Sequence, residues 1–209
     1  MVRYLFMELH FPSMTAFLPF TLLAAAFYIA AGTWVLLHLA RKAPARLALV
    51  RLLSLGALLA HGLALYSHLG LPANLSLGLV EAASLANWLI CAFILIASLR
   101  HSTLNLAVLL FPLAAVTLLF NQFSLSNTFP IEGRNGLFFH IVVSLSAYSL
   151  FALASVQALL LAIQNHQLKQ RHMSGLIAVL PPLQTMERLL FELLFAGQLL
   201  LSLGILSGF

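Results

Sequence analysis

Six long, mostly apolar stretches divide this sequence, at residues 14–39, 47–70, 75–99, 104–123, 137–163 and 185–208, with short polar breaks between them. About 20 such residues in a helix cross the hydrocarbon core of a bilayer. In lipid, only helices and closed barrels satisfy every backbone polar group. A barrel would alternate apolar and polar residues with period two, and these runs do not alternate. The chain is therefore predicted to be all-α, a polytopic transmembrane helix bundle of six spans. The breaks RKAPAR, GLPANLS, RHST, NQFSLSNTFPIEGRNG and NHQLKQRHMSG carry the Pro, Gly, Asn and Ser residues of turns.

Composition agrees with lipid as the solvent. Only 7% of the residues are charged, against 62% hydrophobic, whereas a soluble domain carries about 25% charged residues. The net charge of +5 does not imply nucleic acid, because the ten Lys and Arg residues sit at helix ends and form no basic face. Their placement reads as topology. Arg41, Lys42, Arg46, Arg51, Arg100, Lys169, Arg171 and Arg188 fall on one side, with Arg3 and Arg134 on the other. By the positive-inside rule the richer side is cytoplasmic, which places both termini outside, in the periplasm of a bacterium. The whole chain, 1–209, reads as one integral membrane domain. Residues 1–13 read as an N-terminal extension with no signal-peptide pattern. Residues 173–188 read as a surface connector into the last span. Cys91 is the lone cysteine, so neither a disulfide nor a CxxC motif is available.

An ionisable group at the centre of a span costs about 2.5–3.5 kcal/mol on insertion scales and calls for a reason. His61 and His68 lie seven apart in the second span, on one helix face and about 10 Å apart along the axis. Glu81, Ser84 and Trp88 form a stripe on the third span, which also carries Asn87. In the fifth, His140, Ser144, Ala147, Tyr148, Phe151 and Ser155 share an arc of small or polar residues, suited to a close helix contact or a lined cavity. His68, Glu81 and His140 are expected at one, outer, level. Inward imidazoles in apolar surroundings suit the axial positions of an iron porphyrin, or a transition metal. A lone membrane histidine is more often a boundary residue or an interhelical hydrogen bond than a ligand. His38, His101, His166 and His172, beside Lys and Arg at the cytoplasmic edge, are read that way. Glu192, one turn after Arg188, reads as half of a local ion pair. No nucleophile–base set, metalloprotease motif or phosphate loop is present, so no enzyme is expected.

The run HIVVSLSAYSLFALASVQALLL, followed by LPPLQTMERLLFELLFAGQLLLSLGILSG, resembles the cytochrome c assembly family of haem-handling membrane proteins. The resemblance is to its CcsA-like group and, within it, the short YpjD- and HemX-like branch. It rests on a histidine at the outer start of a helix, then S-x-x-A-Y, a Leu-Pro-Pro connector, and a helix ending Leu-x-x-Gly-Ile-x-Ser-Gly. The match covers about residues 14–208, with AHGLALYSHLG and GLVEAASLANWLI fitting more loosely. The family's tryptophan-rich outer loop follows that Ser-Gly, at the position of Phe209; Trp34 and Trp88 lie elsewhere.

The resemblance implies haem binding or transfer at the outer side of a bacterial inner membrane during cytochrome c maturation. His140 stands at the position of an outward haem ligand, and His61 or His68 at that of an early-helix histidine. Glu81, Trp88, Ser144 and Tyr148 are expected to surround them. The implied partners are the lipid bilayer and other cytochrome c assembly or haem-pathway membrane proteins. A haem-free regulator or assembly partner of the HemX-like kind is the alternative, and a small transporter using Glu81 and Asn87 a third.

Overall fold

A computed structural model describes residues 18–69, 76–100, 103–123, 129–130, 135–170 and 180–208. The expectations for His101, His172 and the extension 1–13 fall outside these residues, as does the side chain of His68. The six predicted spans are six helices long and apolar enough to cross a membrane. They are α1 (Leu18–Leu39), α2 (Leu47–His68), α3 (Leu79–Ala97), α4 (Ala107–Phe123, led in by a 3-10 turn at Thr103–Leu106), α5 (Asn135–Lys169) and α6 (Leu183–Ser207). Two strands of two residues each, β1 (Ser76–Leu77) and β2 (Phe129–Pro130), pair antiparallel, Ser76 opposite Pro130 and Leu77 opposite Phe129. This ribbon ties the approach to α3 to the approach to α5, and its end of the molecule is called the ribbon end. Most of the lysines and arginines gather at the other, basic end.

The helices pack as a ring and a hairpin. α1 lies against α2 and α4, and α3 closes the ring against the same two helices. α5 and α6 pair with each other most extensively, and α5 joins the ring through α3. Helix α2 shows why this buries the residues it does. Leu52, Leu55, Leu59, Leu63 and Tyr66 are all exposed, at the three- and four-residue steps of one helix face. Ser54, Ala57, Ala60, His61 and Ala64 are buried. Lipid tails are as apolar as leucine, so burial of oily side chains gives helices little reason to associate; small residues and interhelical hydrogen bonds do. The large side chains that enter the interior do so at a few points. Tyr28 and Phe111, both fully buried, meet with ring centroids 5.3 Å apart.

α1 ends in a reversal set by hydrogen bonds. The amide of Lys42 donates to the carbonyl of Leu37 and that of Arg41 to His38, the Schellman pattern. Arg41 takes the left-handed position at φ 58°, where glycine is usual. An L-residue there costs about 1 kcal/mol, so Arg41→Gly is expected to raise stability by about that amount, read from reversible unfolding in mixed micelles.

α5 differs from the sequence expectation. Its apolar run was expected to close near 163, yet the helix continues to Lys169 without proline or an internal glycine beyond Gly136. Leaving the hydrocarbon and ending the helix are separate events: Gln164–Lys169 is polar but has good helix formers. Similarly, α6 begins at Leu183, so the latter part of the expected connector is already helix.

Candidate functional site

The fifth and sixth helices meet along a seam of glycines. A Cβ on Gly197 would lie 3.0 Å from the Phe151 ring, and one on Gly204 would lie 2.9 Å from Ser144 Oγ. The two contacts are seven residues apart on each helix, so the antiparallel pair keeps one register across two turns. Gly197→Leu is expected to force the pair apart at a cost of about 2 kcal/mol, seen as a lower midpoint of unfolding in micelles.

His140 sits at the ribbon end of this seam, in the second turn of α5. Its Nδ1 lies 2.9 Å from the carbonyl oxygen of Gly204 and 3.1 Å from Ser207 Oγ, and Ser207 Oγ donates to that same carbonyl at 2.8 Å. A carbonyl can only accept, so Nδ1 carries the proton and Nε2 carries the lone pair. No hydrogen bond to Nε2 occurs among the described residues. The ring is also pressed from one side, since a Cβ on Gly208 would lie 3.1 Å from its Cε1. A half-buried imidazole is thereby held in one tautomer and one orientation, with Leu137, Phe138 and Phe139 exposed one to three residues before it. A backbone carbonyl fixing Nδ1–H is how proteins commonly prepare a histidine to ligate through Nε2.

The histidine and the Gly-x-x-Ser-Gly that ends α6 thus form one structure. The sequence reading singled out both without joining them. Of the other residues named with His140, Ser144 is half-buried against Gly204, whereas Tyr148 is 61% exposed and lies outside the seam.

His61 is placed differently. It is fully buried in the four-helix ring, where its Nδ1 lies 3.2 Å from Tyr28 Oη on α1 and its Nε2 3.1 Å from Ser84 Oγ on α3. The Tyr28 and His61 rings meet edge to face. Both ring nitrogens of His61 are therefore engaged, and the residue links three helices. Trp88 reinforces the same interface by donating from Nε1 to the Leu58 carbonyl at 2.9 Å. Asn87 bonds back to Ala83 within its own helix. Glu81 is buried in the first turn of α3, near the ribbon end.

Tyr28 was not singled out from the sequence. Neither were Thr21 and Gln122, which bond across α1 and α4 at 3.0 Å, or Gln157, which reaches the Met186 carbonyl on α6. A glutamine facing inward at a helix–helix contact was the available signal.

Comparison with known proteins follows from this geometry. The family model described as cytochrome C assembly protein matches residues 49–209, a range that takes in His61 and Ser84 and the whole His140 clasp but not Tyr28. Among curated proteins, the inner membrane protein YpjD of Escherichia coli, from strains K12, O6:H1 and O157:H7, is 29% identical over 156 residues. The aligned region covers 73% of this chain and 59% of each relative, so the match spans less than two thirds of their length. No solved structure matches the chain.

Proposed function

The chain belongs to the cytochrome c assembly protein family, and from that premise we propose that it binds or hands on haem at the outer side of a bacterial inner membrane, with His140 as the iron ligand. The observation carrying this reading is the His140 clasp: Nδ1–H engaged by Gly204 and Ser207 and Nε2 left as the donor atom. The residues present fit a haem edge. The ligand nitrogen is fixed, and Leu137, one turn before His140 on the same helix face, is exposed. Haem, when bound, would supply an iron centre, which His140 would hold through its nitrogen. This chain's own part is to present that nitrogen, hold its tautomer and keep the surroundings apolar. His68, at the ribbon end of α2, is the candidate for a second ligand. His61 is assigned to holding the ring together, because both its nitrogens are used.

In this reading the ribbon end faces outward and the basic end faces the cytoplasm, as the positive-inside rule requires. The membrane placement is supported by six spanning helices and by a relative named an inner membrane protein. The role is one of binding and presentation rather than catalysis, beside other membrane proteins of cytochrome c assembly. The engagement of both His61 nitrogens favours a second reading, a haem-free assembly partner, since it leaves His140 as the described imidazole at the ribbon end with a nitrogen ready to ligate. Purification from haem-replete cells followed by absorption spectroscopy separates the two. A Soret band is expected; its absence, with assembly partners still co-purifying, would favour the second.

A further inference from the structure

A cavity opens at the basic end, at the opposite end of the helices from the His140 clasp. It measures about 300 Å3 and is enclosed by the end of α1, the start of α2, the end of α3 and the turn leading into α4. Arg46, Arg51 and Arg100 line it together with His38, Trp34 and Asn105. Among the described residues the lining contains no carboxylate. Arg51 is anchored, since its Nη2 donates to the Ser98 carbonyl at the end of α3. Its Nε is nevertheless buried without a hydrogen-bond partner among the described residues, and so is Trp34 Nε1. Arg46 lies over the Trp34 ring, 5.6 Å from its centroid. The first turn of α2 adds the positive end of a 22-residue helix.

Three guanidinium groups, one of them with an unpaired buried Nε, and the unpaired Trp34 indole N–H thus surround one space. A buried N–H left unsatisfied costs about 1–3 kcal/mol, so an acceptor toward which either side chain turns recovers that cost. The walls narrow the choice of occupant. Leu47 and Leu99 line the same cavity and are 49% and 68% exposed, giving an oily surface next to a cationic one. The cavity also lies where three spanning helices begin or end, the depth at which lipid head groups sit.

We infer that this cavity binds a phosphate oxyanion, supplied by the head group of an anionic phospholipid whose acyl chains lie along the leucine side. Arginine presents paired N–H groups that match phosphate oxygens, and basic pockets between spanning helices are a recognised setting for such head groups.

The test uses the full chain in dodecyl maltoside, with native mass spectrometry to count bound lipid. The probes are dioleoyl phosphatidylglycerol, dioleoyl phosphatidylcholine and inorganic phosphate. Phosphatidylglycerol is expected to bind well above phosphatidylcholine, which has the same chains and no net charge. Arg46 and Arg100 are exposed, so the double variant Arg46→Gln, Arg100→Gln is expected to fold. Each removal is expected to weaken phosphatidylglycerol about fivefold. The lipid-free unfolding midpoint of the variant, unchanged from the parent, confirms that the loss is at the site. Equal binding of the two lipids, or phosphatidylglycerol binding unaltered in the double variant, overturns the proposal. Displacement of phosphatidylglycerol by inorganic phosphate supports the oxyanion chemistry. Phosphate binding without any preference between the lipids overturns the lipid as its source.

Discussion

His140→Ala is expected to abolish the Soret absorbance of protein purified from haem-replete cells. The expectation follows from tautomer and position together. Gly204 and Ser207 fix the proton on Nδ1, so the whole ligand capacity of this end of α5 rests on one Nε2 atom. Alanine removes that atom and leaves helix α5 intact, because alanine is the best helix former and His140 is only half-buried. Far-UV circular dichroism and the unfolding midpoint should therefore stay close to the parent, the Gly204 carbonyl keeping its bond from Ser207. Imidazole added to the variant should restore part of the band by entering the vacated space. Ser207→Ala is the graded companion: it removes one of two acceptors of the Nδ1 proton and should weaken haem retention without eliminating it, as changes in partners of a metal ligand commonly do by about 10–100-fold. A full Soret band in His140→Ala would sink the ligand assignment.

His61→Ala is expected to do the converse, lowering stability while leaving ligation at His140 in place. Tyr28 Oη and Ser84 Oγ would each lose a partner in a ring whose interior excludes water. A cavity the size of an imidazole would remain as well. Leaving buried groups unsatisfied and opening a void together are worth about 2–4 kcal/mol. The measurement is equilibrium unfolding in mixed micelles, paired with haem content per folded molecule. A lost Soret band at unchanged stability would instead make His61 a ligand, and the network with Tyr28 a resting arrangement that haem displaces. Tyr28→Phe separates these cases, since it removes one hydrogen bond and keeps the imidazole.

The six helices were legible because lipid leaves few alternatives for runs of this length, and the short breaks located their ends within a few residues. The far end of α5 escaped, since hydropathy reports the membrane boundary and Gln164–Lys169 is polar helix beyond it. The arc on α5 was partly legible. Counting residues at 100° each gathers Ser144, Tyr148, Phe151 and Ser155 together, but the seam follows a seven-residue repeat through Ser144–Gly204 and Phe151–Gly197. Tyr148 and Ser155, both exposed, drift off its flank. Tyr28 carried no local sign at all. Its partner is 33 residues away on another helix, and which helices adjoin is decided by packing that periodicity within one span does not record. The arginines at the basic end were read as topology signals, and nothing in their spacing showed that Arg46, Arg51 and Arg100 surround a common space.

The unbroken length of α5 has a mechanical meaning. From His140 to Lys169 the helix is continuous, a rise of about 43 Å at 1.5 Å per residue, longer than the roughly 30 Å oily layer it crosses. Such a rod converts linear position in the chain into depth and azimuth at its far tip. Lys169 in the aqueous layer at one end acts as a stop, and the imidazole at the other end is set to a fixed height and compass bearing by everything between. One residue inserted midway would raise that imidazole by about 1.5 Å and swing it through about 100°, away from Gly204. The helix is in that sense a graduated ruler, and the number of residues in it is part of the specification of the nitrogen at its tip.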